Sequence, residues 1–313
     1  MRSETFNTQQ RLSHVLDAGL AACGSAGDAD NGAQNNAAAT QPCHGRVWAQ
    51  ASGSWLSLGG AAGLDTHDIG LLVGTDGALN DVFHLGVEAG VDNLRGQNAI
   101  GRGNRVDNVH AGVYAFAELG PAVLSATVDA LHGDYHVQRA TGIGLAGAST
   151  DGHTLSAGLQ VAWPGLAAGL TPRLGVLYQH QALDGFDEHV ASSNPLASAF
   201  GVTGARTTAT SVQPYAGMGW STTWRSGAVV YVPSLEASYY YQANHDAPRV
   251  PLMAQDGTVF LTPGTPVGRG MGAVRAGIGI QFTGSWRLDV DYQGWFAHHL
   301  HDNALSIGFD KQF

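Results

Sequence analysis

The sequence has few charged residues and no long apolar run. Of its 313 residues, 13% are charged, which is about half the usual share of a soluble protein, while 44% are hydrophobic. The chain contains 44 glycines, roughly twice the average frequency. No segment approaches the roughly 18 consecutive apolar residues of a membrane-spanning helix. Two classes remain open, a glycine-rich soluble β protein and an outer-membrane β-barrel, whose lipid-facing positions carry no charge.

Basic clusters and an apolar leader are also lacking. Fifteen Lys and Arg residues against 25 Asp and Glu residues give a formal net charge of −10. Nothing basic clusters enough to follow a phosphate backbone, so nucleic acid is excluded as a partner. The opening residues MRSETFNTQQ have no apolar core of the signal-peptide kind. We therefore expect a secreted form to be a piece of a longer precursor.

A single helix is predicted, over residues 4–22. Apolar residues recur there at intervals of three and four, and polar residues fill the rest of the circumference. Such a helix could pack on the surface of a domain or be enclosed by the wall of a barrel, and the rest of the chain favours the enclosed helix. The residues assigned to this pore helix are Phe6, Arg11, Leu12, Val15, Leu16 and Leu20.

The helix is followed by a predicted loop, residues 24–42, that is rich in Ala, Asn, Gly and Asp and has no periodicity. Cys23 and Cys43 bracket this loop and are the two cysteines of the chain. In an oxidising compartment they could form a disulfide, whereas in a cytosolic protein they would be buried thiols. We favour a disulfide that fastens the helix end to the barrel base and contributes roughly 3 kcal/mol.

From residue 45 onward the sequence alternates with the period of two that is typical of strands. Around Trp286–His298, Leu288, Val290 and Tyr292 share one face, and charged or polar residues occupy the other. The sequence predicts an all-β transmembrane barrel in residues 45–313, preceded by the pore helix and linker in residues 1–44. Twelve antiparallel strands are predicted, over residues 45–58, 66–75, 81–92, 105–119, 121–135, 153–163, 169–182, 207–222, 228–242, 270–282, 285–298 and 303–313.

The connections between these strands alternate between short and long. The predicted short turns include 76–80 and 164–168, and the predicted long loops include 93–104, 136–152, 183–206 and 243–269. Short turns on one rim and long loops on the other are typical of outer-membrane barrels, and a β-sandwich has no reason to alternate in this way. The pattern favours the transmembrane barrel over the soluble β protein.

No pattern of residues predicts catalysis or a cofactor. The glycine-rich run GIGLAG at 142–147 matches a dinucleotide fingerprint only formally, because it falls between antiparallel strands. His298, His299 and His301 lie at a strand end, where a polar loop is the default interpretation. Asp129, Glu236 and Arg173 are candidates for ion pairs inside the barrel. The principal polar residues predicted to line the lumen are Arg275, Arg287, Asp289 and Asp291.

The chain resembles the β-domain, or translocator, of the monomeric autotransporters of type V secretion. The resemblance covers nearly the whole chain and rests on several motifs taken in order. These are Arg11-Leu12 in the helix, RVWAQ at 46–50, TPRL at 171–174, DGFDE at 184–188 and the final run 270–313. It implies a barrel of twelve strands with a helix through its pore, in the outer membrane of a Gram-negative bacterium. The implied function is export of an N-terminal passenger, and a porin- or adhesin-type barrel without a passenger is the alternative.

The same resemblance assigns a role to the last strand. Ser306, Gly308 and Phe313 match the family's signal to the barrel assembly machinery, whereas Lys311 stands where the family usually has an aromatic residue. The implied partners are outer-membrane lipid and lipopolysaccharide, the assembly machinery, periplasmic chaperones and the passenger in cis. No cofactor, metal or enzymatic activity is implied.

Overall fold

The computed structural model describes residues 45–59, 63–98, 103–165, 169–244, 249–263, 267–282 and 285–313. The predicted helix, the loop 24–42 and both cysteines lie outside these ranges. Within them, no helix is both long and apolar enough to cross a membrane.

Twelve long strands form the body of the structure, as the sequence predicted. They are β1 Arg46–Leu58, β2 Leu64–Ala78, β3 Phe83–Asn98, β4 Gly103–Leu119, β5 Ala122–Ala140, β6 Leu145–Ala162, β7 Leu170–Leu183, β8 Thr207–Ser221, β9 Val229–Tyr241, β10 Gly270–Gln281, β11 Trp286–Ala297 and β12 Leu300–Gln312. Every strand pairs antiparallel with the next one in the chain. Two short segments, His189–Ala191 and Trp224–Ser226, add to the same sheet.

Pairing of the first strand with the last closes the sheet into a barrel. β1 pairs with β12 along its whole length, from Arg46 opposite Gln312 to Leu58 opposite Leu300. The backbone N–H of Phe313 continues the ladder by donating to the carbonyl of Gly45, at 3.1 Å. Closure leaves no unpaired edge, which is a requirement for strands that cross lipid.

The two faces of each strand differ in polarity, as the period of two predicts. On β12, Leu305, Ile307 and Phe309 point outward with 44–51% of their surface exposed. Ser306 and Asp310, which alternate with these residues, are 2% and 3% exposed and point inward. Outward apolar residues recur in the same way on the other strands and form a band for contact with lipid.

Five tight connections lie on one rim, at 79–82, 120–121, 163–169, 222–228 and 282–285. Both Arg46 and Phe313 also lie at this rim, which is the periplasmic one by the rule that short turns face the periplasm. The opposite, extracellular rim carries the remaining connections, of which two, 184–206 and 242–269, are long.

Two of the predicted long loops, 93–104 and 136–152, are wrong. β5 and β6 continue past His136 to Ala140 and Leu145, and the turn between them is only 141–144. β3 and β4 likewise extend to Asn98 and Gly103. A strand needs about 9–11 residues to cross the membrane, so these hairpins project beyond it. The apolar alternation stops where lipid contact stops, but the hydrogen-bonded ladder continues.

The two long extracellular connections fold together into a second sheet. Its strands are Val259–Pro263, Arg249–Ala254, Val202–Gly204 and Phe186–Asp187, in that order. A 3₁₀ turn, Ala197–Phe200, lies in the same region. Both connections are predicted as loops from the sequence, because strands of two to six residues leave almost no periodicity to detect.

An ion pair ties this sheet to the projecting β5–β6 hairpin. Arg139 Nε donates to Glu188 Oε1 at 3.1 Å, and Arg139 Nη2 donates to the carbonyl of Phe200 at 3.0 Å. The Glu188 carboxylate also accepts the backbone N–H of Val202, at 3.1 Å. Its hydrogen bond to Arg139 raises the pKa of the guanidinium, so Arg139 keeps its positive charge beside the carboxylate.

We expect Glu188→Ala to loosen this sheet without opening the barrel. Loss of charged hydrogen bonds worth roughly 1.5–3 kcal/mol should speed amide exchange at Val202–Gly204 by about tenfold or more. Hydrogen–deuterium exchange measures the effect. Arg206→Ala is the matched control, because Arg206 lies 3.7 Å from Asp184 with both side chains exposed. Equal exchange in the two variants would contradict the prediction.

Candidate functional site in the barrel lumen

The inward face of the barrel is lined by polar and charged side chains that are buried from solvent. This follows from the alternation of the strands, because every second residue must point inside. The buried inward-facing side chains include Gln50, Glu88, Asp92, Asp129, Gln160, Arg173, Gln213, Glu236, Arg275, Asp289, Asp291 and Gln293. The lumen is therefore the one face of this barrel that is chemically suited to contact a polar chain.

Four side chains form a network near the periplasmic rim. Arg46 donates to Asp76 Oδ2 through Nε, at 3.0 Å, and through Nη2, at 2.6 Å. The Tyr114 hydroxyl donates to the same oxygen at 2.6 Å, and Trp48 Nε1 donates to the Tyr114 hydroxyl at 2.8 Å. The network joins β1, β2 and β4, so it braces the wall across three strands.

Glycines on the intervening strands admit the two aromatic rings of this network. A Cβ added at Gly74 of β2 would lie 2.4 Å from Trp48 Cζ2, and one at Gly86 of β3 would lie 2.2 Å from Tyr114 Cζ. Such distances are far below van der Waals contact. Part of the high glycine content thus serves to seat inward-facing aromatic rings flat against the wall.

A second set of ion pairs lies on the strands β7 and β9–β11. Arg173 Nη1 is 2.7 Å from Glu236 Oε2, and Arg275 Nη2 is 2.9 Å from Asp291 Oδ1. Glu236 and Arg275 are register partners on β9 and β10, so positive and negative groups alternate along the wall. Buried charges of this kind are stable only when each has a partner.

All four residues predicted to line the lumen lie on this inward face. Arg275 pairs with Asp291, as above, and Arg287 Nη2 is 2.7 Å from Asp289 Oδ1. Asp289 and Asp291 are both 8% exposed. The structure therefore brings the four together as two adjacent pairs on β10 and β11.

Strands β3–β5 form an acidic wall, defined by Glu88, Asp92 and Asp129, which are 6–8% exposed. His110 lies between two of these carboxylates, with Nε2 3.8 Å from Asp92 and Nδ1 3.7 Å from Asp129. β4 and β10 are six strands apart in a ring of twelve, so the acidic wall faces the strands that carry the arginines. On those opposite strands the arginines are paired with carboxylates, so their charges are balanced there.

The three residues of the predicted assembly signal lie on the last strand and its end. Ser306 is buried on the inward face, and Gly308 pairs with Gln50 and Asp289 on the two neighbouring strands. Phe313 is 57% exposed at the periplasmic rim. Lys311 places its ammonium 5.0 Å from the centroid of the Trp286 ring. This cation–π contact lets a lysine occupy a lipid-facing position beside an aromatic residue.

No pattern in the sequence predicts the periplasmic network, although Arg46 and Trp48 both belong to the RVWAQ motif at 46–50. The bonded partners lie 30, 38 and 66 residues apart in the chain, so no local spacing relates them. Assigning each strand position to the inward or outward face would have placed all four residues inside. Their contact also depends on the register of the strands.

Both of the weak motifs lie where the chain turns between two strands. The GIGLAG run spans the tight turn between β5 and β6, where Gly142 has a φ of 85° and Thr141 N–H donates to the carbonyl of Gly144. His298 and His299 form the turn between β11 and β12, with His299 at a φ of 64°. Both runs serve to reverse the chain direction.

Comparison with known proteins identifies the family. A family profile described as "Autotransporter beta-domain" matches residues 47–293 of the chain. This chain belongs to the autotransporter β-domain family. Its barrel is an outer-membrane transport domain of a Gram-negative bacterium.

Solved autotransporter β-domains share the fold. The translocator domain of NalP from Neisseria meningitidis superposes with a TM-score of 0.71 at 14% identity, covering 98% of each chain. The β-domain of the Bordetella autotransporter BrkA gives 0.63 at 14% identity, covering 86% of this chain and 100% of that one.

A curated relative is much longer than this autotransporter β-domain. It is named as an extracellular serine protease of Serratia marcescens and is 22% identical over 279 residues. The match covers 85% of this chain and 26% of that protein, so the chain spans about a quarter of the relative's length.

We expect Asp76→Ala to destabilise the barrel more than any exposed charge removal. The substitution leaves the Arg46 guanidinium, whose side chain is 3% exposed, without its carboxylate partner. Breaking one side of a buried pair costs about 3–5 kcal/mol. Urea unfolding of the protein in lipid vesicles, followed by tryptophan fluorescence, measures the loss.

Arg105→Ala is the control, because Arg105 and Asp107 form a pair with side chains 56% and 36% exposed. Exposed pairs contribute little to stability. An unfolding midpoint for Asp76→Ala equal to that of the control would contradict a structural role for the periplasmic network.

Proposed function

We propose that this β-domain anchors an N-terminal passenger in the outer membrane and serves as its route to the cell surface. The observation that carries the proposal is the family match over residues 47–293, joined to a closed barrel whose inward face is polar. The serine protease relative supports the proposal in one respect. It is named as extracellular, and the matched part makes up 26% of it, which leaves most of that protein outside the β-domain.

The dimensions of the lumen limit what can pass. A barrel of twelve strands encloses space for a helix or an extended hairpin but not for a folded domain. The passenger therefore crosses unfolded and folds outside, and its folding supplies the direction. Paired side chains such as Arg173 with Glu236 suit this role, because groups already bonded to each other hold a moving chain only weakly.

The predicted pore helix, residues 4–22, carries a basic side chain that suits the acidic wall of the lumen. Its polar face carries Arg11, and an acidic wall of Glu88, Asp92 and Asp129 attracts such a cation. In the proposed arrangement Phe6, Leu12, Val15, Leu16 and Leu20 occupy the lumen with it. A disulfide between Cys23 and Cys43 then fastens the linker to the start of β1.

We also propose partners for assembly. Outer-membrane lipid and lipopolysaccharide contact the outward apolar band, and the barrel assembly machinery reads Ser306, Gly308 and Phe313 after delivery by periplasmic chaperones. The chain itself carries no enzymatic activity in this proposal. Any such activity belongs to the passenger, because the family match makes this part of the chain a transport domain.

Export is tested by fusing a signal peptide and a short epitope tag ahead of Met1 and expressing the protein in a Gram-negative host. The epitope is expected on intact cells, where antibody binds it and added protease removes it. An untagged barrel and a tagged soluble periplasmic protein are the controls. An epitope that remains periplasmic while the barrel is folded in the outer membrane would overturn export.

Conductance in planar bilayers separates a translocator with a pore helix from an open porin. We expect low conductance from the full chain and a clear increase after deletion of residues 1–44, because the deletion removes the plug. Heat-modifiable migration on gels confirms that the truncated barrel is folded. Equal, porin-like conductance from both proteins would favour the alternative of a barrel without a passenger.

A further inference from the structure

A cluster of histidine and aspartate side chains lies on the outer face of the β5–β6 hairpin. His132 is the register partner of His153, and Asp134 is the register partner of Asp151. All four point outward. The next register pair on the same face is Ala130 with Leu155, followed by Val128, and Leu155 and Val128 are 46% and 47% exposed and belong to the apolar band. The cluster is thus at the extracellular boundary of the lipid-facing surface.

The ligand atoms of this cluster converge. One ligand atom from each of His132, Asp134 and Asp151 lies within 4.8 Å of the others, and His132 Nε2 is 3.6 Å from Asp134 Oδ1. Zinc binds nitrogen and oxygen ligands at about 2.0–2.2 Å, so its bound atoms are roughly 3.3–3.5 Å apart. The side chains of His132 and Asp134 are 49% and 56% exposed and are free to close that small difference by rotation.

His153 orients the histidine of this group. Its Nδ1 lies 3.2 Å from Nδ1 of His132, and the two rings are 4.8 Å apart with an interplanar angle of 32°. One of the two nitrogens must donate and the other accept. When His132 donates from Nδ1, its lone pair is on Nε2, the nitrogen that faces Asp134. A hydrogen bond of this kind commonly fixes the tautomer of a metal-binding histidine.

The cluster brings two carboxylates close together, and a bound cation offsets their mutual repulsion. Asp134 and Asp151 are directly opposite each other on paired strands, an arrangement that destabilises a sheet when both are ionised. Two other histidines on the same outer surface are paired with hydroxyl groups and not with carboxylates. His136 Nδ1 is 2.8 Å from the Ser149 hydroxyl, and His180 Nδ1 is 3.0 Å from the Thr210 hydroxyl.

We propose that His132, Asp134 and Asp151 bind a divalent first-row transition metal, with Zn²⁺ as the representative ion and His153 as a positioning residue. Two carboxylates balance the charge of the ion, and the imidazole nitrogen favours Zn²⁺ over Ca²⁺ and Mg²⁺, which prefer oxygen. The three ligands stand on two hydrogen-bonded strands, so the backbone is already arranged before the ion binds. The ion retains open positions for water on its solvent side.

The test is titration of the full chain in detergent micelles with Zn²⁺ alone, after treatment with a chelator. Calorimetry is expected to show one equivalent bound, and Co²⁺ in place of Zn²⁺ is expected to give visible absorption bands. His132→Ala should weaken binding by more than about 100-fold, because loss of even a supporting residue costs about 10–100-fold. Asp134→Asn combined with Asp151→Asn should do the same. Ca²⁺ should not displace the bound Zn²⁺.

His153 needs a test that separates positioning from ligation. His153→Ala is expected to weaken Zn²⁺ binding by about 10–100-fold and to shift the Co²⁺ absorption bands. His153→Gln should recover part of the affinity, because its side-chain oxygen can accept the hydrogen bond from His132. An unchanged Co²⁺ spectrum and affinity in His153→Ala would remove His153 from the proposal.

His180→Ala is the matched control, since His180 lies on the same outer face but outside the cluster. It is expected to bind Zn²⁺ as the unmodified protein does. Heat-modifiable migration must show that each variant is folded. We expect all of them to fold, because the substituted side chains are exposed on the outer face. Absence of Zn²⁺ binding by the unmodified protein, or full binding by folded His132→Ala, would overturn the site.

Discussion

Backbone hydrogen bonding in a medium without water governs this structure. Each N–H and C=O group within the lipid needs a partner from the protein itself, and an unpaired group costs several kcal/mol. The pairing of β1 with β12, from Arg46 to Leu58, meets that need by removing the last edge of the sheet. Closure then forces every strand to have one face toward lipid and one toward a confined interior.

The two faces solve different physical problems. The outward face needs only apolar side chains of any good strand-forming shape, such as Leu305 and Ile307. The inward face must satisfy polar and charged groups in a narrow space, and it does so with cross-strand pairs and with glycines that make room for rings. Arg46, Asp76 and Tyr114 show how strongly the interior depends on exact neighbours, since one carboxylate oxygen of Asp76 accepts from both of the others.

Beyond the membrane the constraint relaxes and the structure becomes more varied. The β5–β6 hairpin keeps its ladder past the apolar band, and its outward residues change from Val128 and Leu155 to a histidine and aspartate group. The long connections form a separate sheet, held to the hairpin through Arg139 and Glu188. Water can satisfy unpaired backbone groups here. Strand pairing is therefore not obligatory outside the membrane and depends on local contacts.

The sequence by itself determined the number of barrel strands and their antiparallel order, and its period of two assigned Arg275, Arg287, Asp289 and Asp291 to the polar face of their strands. Alternation with a period of two shows which face of a strand a residue occupies, and the same rule applies to each of the twelve strands of the barrel. Only the tertiary structure decided which inward residues meet, how far the hairpins project, and that the distant connections form one sheet. These features depend on register between strands and on contacts between segments far apart in the chain, as with Trp48 and Tyr114, and a local pattern carries neither kind of information.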